Sequence, residues 1–331
     1  MKTFVHHQPV VRTMRGWNNR SVVPFLREVN RRQEVVELDH MLKQEVVPIP
    51  RRSSFTDWNY QAEMKAFQAR IGESFNKELL ARVFVTESHV KMEKRKQEEL
   101  GVEASTGLVD NSKLASEGMV IIEAALGSWL RGALPLLPEE GIVAVINYLT
   151  TETMMADVAF HIGMRELVLS EEYPPSSNTL CSSLQALVAA LATTDKERAN
   201  MFVTDIIAAQ IAGKDINEIW SLVDPMGILT KILTGSGLPA PESRLLWQTG
   251  PGTIFSNHMV GIFCNKEIIG ESSGETLDIA EEMAARDALR NIFNTHEARD
   301  PLPFGHPASG NMASNKTLAE VKVETQNIVQ C

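Results

Sequence analysis

The sequence predicts a mainly α protein: an all-helical domain over residues 57–223, followed by a small α+β module over residues 224–294 with the element order α-β-β-β-α. Three observations carry this. From 57 to 223 apolar residues recur at spacings of three and four, the period of helices packed on one side, and no alternating strand pattern interrupts them. From Asp224 the texture changes to a short helical run, a loop rich in turn residues, three strand-like segments and a long alanine-rich helix. That order fits helices packed on one face of a small sheet. Residues 295–331 show no apolar periodicity and are expected to form a disordered tail.

With 331 residues, 44% of them hydrophobic and 22% charged, the chain can bury a sizeable core and has the balance of a soluble globular protein. Its most apolar region, around 119–137, is cut by Glu123, Arg131 and Pro135, so no run of 18 apolar residues exists and no membrane span is expected. Cys181, Cys264 and Cys331 are odd in number and far apart. They fit neither a disulfide framework nor a zinc site, and a reducing compartment is the default. The net charge of −10 conceals an asymmetry: residues 1–32 hold seven basic side chains and one acid, leaving −16 for the rest. Such a start reads either as a mitochondrial transit peptide or as a basic arm for a phosphate backbone, and cleavage that left part of the arm would reconcile the two. Residues 33–56, with Pro48, Pro50, Arg51 and Arg52, read as an extended surface connector.

The helical elements follow in order. Asp57 is the expected cap of the first helix, with Trp58 and Tyr60 as anchors and Ala66, Phe67, Ile71 and Phe75 as its buried stripe. A second helix from Lys77 turns Leu79, Leu80, Val83 and Phe84 inward and runs on into the charged stretch KMEKRKQEE at 91–99. Lys91, Lys94, Arg95 and Lys96 are candidate phosphate contacts, although the interleaved glutamates favour a solvated helix face. The stretch 111–130, NSKLASEGMVIIEAALGSWL, is the centre of this part: Leu114, Met119, Ile122, Leu126, Trp129 and Leu130 form a stripe, and Asn111 offers a cap. Gly118 interrupts it, where glycine costs about 1 kcal/mol relative to alanine unless something must approach the backbone closely.

After a turn at 135–138, two helices are expected over 139–149 and 154–169, parted by Thr150 and Thr151. His161 reads as a structural residue, because no second ligand stands at metal-binding spacing. A helix from Asn178 buries Leu180, Leu184, Leu187, Val188 and Leu191, and its alanines permit close helix contact; runs at 196–211 and 216–223 complete the domain. In the module, strands are expected around 245–248, 258–264 and 266–269. Gly274-Glu275-Thr276 introduces the helix LDIAEEMAARDALRNIF, with Ala280, Met283, Ala284 and the residues 289–293 on its buried side.

These residues carry a resemblance. The module, with its Asp224-Pro225 opening, its Leu238-Pro239 and Pro241 loop, its Gly250-Pro251 turn and its alanine-rich last helix, resembles a double-stranded RNA-binding domain. The helical part resembles a ribonuclease III domain: Asn111, Leu114 and Gly118 keep the frame of that family's signature helix, FVTESHV at 84–90 is similar to the preceding segment, and SSLQALVAAL at 182–191 to the last catalytic helix. The resemblance implies magnesium held by four carboxylates, a pair at i and i+4 on one helix facing a pair at i and i+3 on the other. The matching positions here are Ala115, Met119, Ser182 and Gln185, none of them ionisable, so no metal or other cofactor is expected and the catalytic set is read as degenerate. Glu117 and Glu123 lie nearby but off the ligand positions.

The RNA-binding resemblance is also incomplete. Leu277 and Asp278 stand where that family places lysines, Thr253 stands near its usual histidine, and residues 224–294 hold nine acids against five bases. A module of net charge −4 is expected to bind free duplex RNA poorly. The combination, led by a mitochondrial-like start, resembles the ribonuclease III-like components of the mitochondrial large ribosomal subunit, through DWNYQAEMKAF, WSLVDPMGIL, APESRLL and GETLDIAEEMAARDALR. That resemblance implies a structural role in the mitochondrial matrix, with mitochondrial rRNA and neighbouring large-subunit ribosomal proteins as partners, and a ribonuclease III-like pairing surface on the signature helix. Contact with rRNA falls by charge to the arm, to Arg51 and Arg52, and to Lys91, Lys94, Arg95 and Lys96. An active mitochondrial endonuclease and a free RNA-binding factor are the rival readings.

Overall fold

A computed structural model of the chain describes residues 51–101, 107–296, 301–304 and 313–322. The chain divides into two compact units, Met1–Thr56 and Asp57–Cys331. In the first, the described part holds a single 3-10 turn, Arg52–Ser54, with no buried residue. The basic stretch 1–32 and the connector up to residue 50 lie outside the described residues.

The second unit opens with α1 (Tyr60–Ile71), capped by Asn59 and not by Asp57. Asn59 is extended, and its side-chain oxygen accepts the N–H groups of Gln61 and Ala62 at 3.1 and 3.2 Å, two donors the helix itself cannot pair. Phe67 is buried from this helix, whereas Ala66 faces solvent. The next helix does not run into the charged stretch as expected. It stops as α2 (Lys77–Val83), and α3 (Glu87–Glu99) starts afresh with Thr86 as its cap. The break has a cause: Val85 forms a parallel bridge with Leu169, and the Thr86 hydroxyl donates to the Leu169 carbonyl at 2.6 Å. A β-branched pair taken up by a distant strand-like contact cannot also continue a helix.

The longest helix, α4 (Ser112–Ala133), leads to α5 (Glu139–Leu149) and α6 (Glu152–His161). The last of these is shorter than expected, because Gly163 takes a left-handed φ of 87° and turns the chain. Met164, Leu167 and Val168 are still buried, as irregular backbone, so their apolar spacing imitates a helix that is absent. Capped by Ser176, α7 (Ser177–Thr194) is buried along most of its length. Beyond it, α8 (Lys196–Phe202) continues through a π turn, Val203–Ile207, and a 3-10 turn, Ala208–Ile211. The run expected over 216–223 is one turn only, α9 (Ile216–Ile219), since Trp220 leaves the helical region at φ −114° and ψ 80°.

The α+β part has the expected order: α10 (Pro225–Gly235), β1 (Glu242–Thr249), β2 (Asn257–Cys264), β3 (Glu267–Gly274) and α11 (Leu277–Phe293). The strands form one antiparallel sheet in sequence order. Its core is made by Val260, Ile262 and Ile269 against Ala280, Ala284, Ala285, Ala288 and Leu289 of α11, the alanines allowing the helix to lie close. Met283, expected inside, is 38% exposed, and β1 is exposed along its whole length.

Two connections tie this part to the helical part within the second unit. Trp220 and Phe293 pack with ring centroids 5.8 Å apart, Arg290 pairs with Asp215 at 3.3 Å, and the Asn217 amide donates to the Thr295 carbonyl at 3.1 Å. The second involves two pieces of the stretch expected to form a disordered tail. Residues 301–304 and 313–322 return to the α4–α5 corner, where Phe304 lies on Trp129 at 5.3 Å and the Trp129 indole N–H donates to the Pro303 carbonyl at 3.3 Å. The Asn315 side chain donates to the carbonyls of Leu134 and Leu137 at 3.0 and 2.8 Å, and its backbone N–H to Glu139 at 2.9 Å. These two pieces form a strap, with Leu302, Phe304, Leu318 and Val321 against the core and a turn at 317–321, and have no helical or strand period to find.

Candidate functional site

The candidate site lies where α4 and α7 face each other. Their approach is set by Gly118: a Cβ built there would stand 1.9 Å from the Gln185 carbonyl oxygen and 2.6 Å from its carbon. Only a residue without a side chain permits that contact, so the interrupting glycine of the signature stretch is a packing requirement. Asn111 was expected as a cap, and it makes no side-chain cap hydrogen bond. In a helical conformation (φ −90°, ψ −3°) its buried amide instead donates to the Val83 carbonyl at 2.9 Å and to the Ser183 hydroxyl at 3.4 Å. It therefore joins α2, α4 and α7.

Of the four predicted positions, the structure brings Met119 and Gln185 into contact, with the Gln185 amide donating to the Met119 sulfur at 3.4 Å and to the Cys181 sulfur at 3.4 Å. Ala115 is buried. Ser182 is turned back on its own helix, donating to the Thr179 carbonyl at 3.1 Å. Burial, aided by Glu152, pushes the Cys181 thiol up to about 11, so the surroundings oppose negative charge. Glu117 is exposed and stands 4.0 Å from Lys113, and Glu123 is exposed on the same helix. Among the described residues no three of the His, Cys, Asp and Glu side chains come together as a metal site. The His161 Nδ1–H donates to the Asp157 carbonyl, 2.7 Å away within its own helix. Met119 and Gln185 thus pack as neutral groups between α4 and α7, with the Glu152 carboxylate near enough to act on the Cys181 thiol.

The predicted cationic residues fall on both units. Arg51 and Arg52 belong to the first and are exposed at its 3-10 turn. The basic run of α3 is exposed in the second, where Lys91 pairs with Glu87 at 2.7 Å, Lys96 with Glu93 at 2.9 Å, and Arg95 with Glu171 at 3.4 Å. Lys96 holds the Glu93 carboxyl below its ordinary range through their hydrogen bond. Lys94 makes no ion pair among the described residues. In the α+β part, Leu277 and Asp278 are exposed at the start of α11. Sequence reasoning missed that Leu246 and Trp247 on β1, and Ile254 and Phe255 in the turn after it, are also exposed. Strand hydrophobics read as buried by default; the available signal was that one helix cannot cover three strands.

Comparison with known proteins gives two family matches along the chain. The model for the endonuclease domain of large ribosomal subunit protein mL44 matches residues 59–191, and the model for the MRPL44 dsRNA-binding domain matches residues 220–329. The second match spans the strap. Large ribosomal subunit protein mL44 of Caenorhabditis elegans is 29% identical over 277 residues, 82% of this chain and 67% of that protein. Ribonuclease 3 of Enterococcus faecalis is 27% identical over 196 residues, covering 56% of this chain and 82% of its own length. The nuclease domain of ribonuclease III from Campylobacter jejuni, a solved structure, aligns at 15% identity and a TM-score of 0.38 over 45% of this chain and 99% of its own.

Proposed function

We propose, for a chain that belongs to the family of large ribosomal subunit protein mL44, a structural role in the mitochondrial large ribosomal subunit, where it contacts rRNA and neighbouring ribosomal proteins and supports subunit assembly or stability and mitochondrial translation. The matrix is its compartment. On this reading it is a ribonuclease III-like pseudoenzyme in which all four ligand positions, Ala115, Met119, Ser182 and Gln185, have been given up. The observation that carries the reading is the Gln185–Met119 contact beside Gly118: two helices meet backbone to side chain where the family would hold a charged cleft. Four carboxylates at that spacing need a divalent cation to offset their repulsion, whereas an amide on two sulfurs needs none.

The helical domain is taken as 57–223 and the RNA-binding-like module as 224–294. Arg51, Arg52, Lys91, Lys94, Arg95 and Lys96 are the proposed rRNA contacts, and the signature helix offers a pairing surface. The acidic module faces basic protein neighbours. Sedimentation of a mitochondrial lysate, with the purified full-length chain assayed on duplex RNA with magnesium or manganese, tests both halves. The chain should travel with the large subunit and leave RNA intact. Cleavage abolished by chelator would overturn the pseudoenzyme reading, and confinement to light fractions would overturn the ribosomal one.

A further inference from the structure

The edge of the sheet carries an apolar surface that neither the helices nor the strap cover. Every residue of β1 is exposed. Trp247 is 49% exposed, and in the turn that follows Phe255 is 81% and Ile254 92% exposed. The Leu246 side chain lies over Gly261 of β2, so this cluster is continuous with the sheet and not a frayed end. An eight-residue strand at a sheet edge offers unpaired N–H and C=O groups. Folded proteins normally blunt such an edge with charge, proline or a bulge; β1 has one register shift, between Leu245 and Trp247, with paired residues on both sides of it. Here its only charges, Glu242 and Arg244, neutralise each other at 2.6 Å, and Arg244 also lies over the Phe263 ring at 4.8 Å. An exposed apolar patch kept in a folded chain marks an interaction site.

The charges around it choose the partner. No lysine or arginine occurs between Arg244 and Lys266, so the patch offers nothing to a phosphate backbone. The nearest element contributes acids: the Ser256 hydroxyl donates to the Glu275 carbonyl at 3.0 Å, fixing the turn beside the start of α11, where Glu275 and Asp278 are both exposed. We infer that β1 and its following turn dock an extended, apolar segment of a neighbouring protein that carries lysine or arginine. The segment adds as a strand to β1, with Trp247, Ile254 and Phe255 packing on its side chains and Glu275 and Asp278 meeting its cations.

This inference rests on the proposed place in the large subunit, and its test separates the two. The full-length chain with photoreactive p-benzoylphenylalanine at position 255 is expressed in mitochondria, irradiated and sedimented, and the adduct is identified by mass spectrometry. If the chain stays in light fractions, the ribosomal reading falls and the inference with it. If the chain travels with the large subunit, the expected adduct is a peptide of another protein containing apolar and basic residues. An adduct with rRNA, with a second copy of this chain or with an acidic peptide overturns the inference, as does no adduct. In the same probe-bearing chain, Trp247→Ser should lower the adduct yield roughly tenfold, the loss of one interface aromatic. Because Trp247 is half exposed, the melting temperature should hold; an unchanged yield at an unchanged melting temperature overturns the docking geometry.

Discussion

Gly118→Ala is the sharpest test of how the α4–α7 pair is built. The added methyl would stand 1.9 Å from the Gln185 carbonyl oxygen, about 1.5 Å inside an ordinary contact distance. The obstacle is backbone within a buried helix, so no rotamer change relieves it, and the two helices must separate or shift in register. Overpacking of this kind costs about 1–3 kcal/mol, and a clash with fixed backbone belongs at or beyond the upper end. Alanine returns about 1 kcal/mol of helix propensity. The net loss is roughly 2 kcal/mol, a fall of about 4 °C or more in melting temperature for a unit of this size. Gly235→Ala is the matched control, since that position is also helical and a Cβ there meets nothing within 4 Å. It should gain a few tenths to about 1 kcal/mol. Urea and thermal unfolding of the full chain measure both. A Gly118→Ala variant as stable as the parent would refute the close approach.

Two further predictions concern hydrogen bonds that the sequence did not announce. Asn111→Ala removes a buried donor and leaves the Val83 carbonyl unpaired, which should cost about 1–3 kcal/mol in urea unfolding; a loss of only a few tenths would restore the simple capping role. The strap should respond to acid. Glu139 accepts from Arg131 at 2.6 and 3.3 Å and from the Asn315 N–H, and the Arg131 bond holds its carboxyl below the ordinary range. A lowered carboxyl contributes stability that is complete above its unfolded value, about 4.3, and is lost as pH falls through the folded one. Hydrogen-exchange protection of the Asn315 amide, corrected for intrinsic rates, should therefore be lost as pH falls below the ordinary carboxyl range, before that of α7. Protection unchanged from neutral pH down to full protonation of the carboxylates would show that Glu139 does not hold the strap.

Much of this architecture was legible in the sequence, and the failures have causes. Helices with a continuous apolar stripe were found because burial on one side imposes a 3.6-residue period. That period also misled: Met164, Leu167 and Val168 keep the spacing while Gly163 has already turned the chain. Thr86 defeated the expected long second helix because its partner, Leu169, lies 83 residues away. The strap was invisible for the opposite reason. Its anchors differ in kind: the Phe304 ring, the Pro303 carbonyl, the Asn315 side chain, and the backbone N–H groups of Asn315 and Leu318 on Glu139 and Glu140, and they follow no period. At the candidate site, the positions Ala115, Met119, Ser182 and Gln185 could be chosen only through resemblance. Composition would have assigned Met119 to a core, and the structure half-buries it against Gln185.

The arrangement around Gly118 explains how such a fold keeps its shape on the proposed reading. A charged cleft between α4 and α7 would depend on bound cations, because like carboxylates a few ångströms apart repel strongly in a half-buried site. Neutral replacements remove that dependence, but they would also let the helices slide if nothing else set their register. Two features outside the ligand positions set it. Gly118 seats the Gln185 backbone from one side, and Asn111 ties Val83 and Ser183 from the other. Both are independent of metal and of pH near neutrality. A helix pair held this way specifies a fixed surface without needing a ligand, which is the property that a scaffold requires and a nuclease does not.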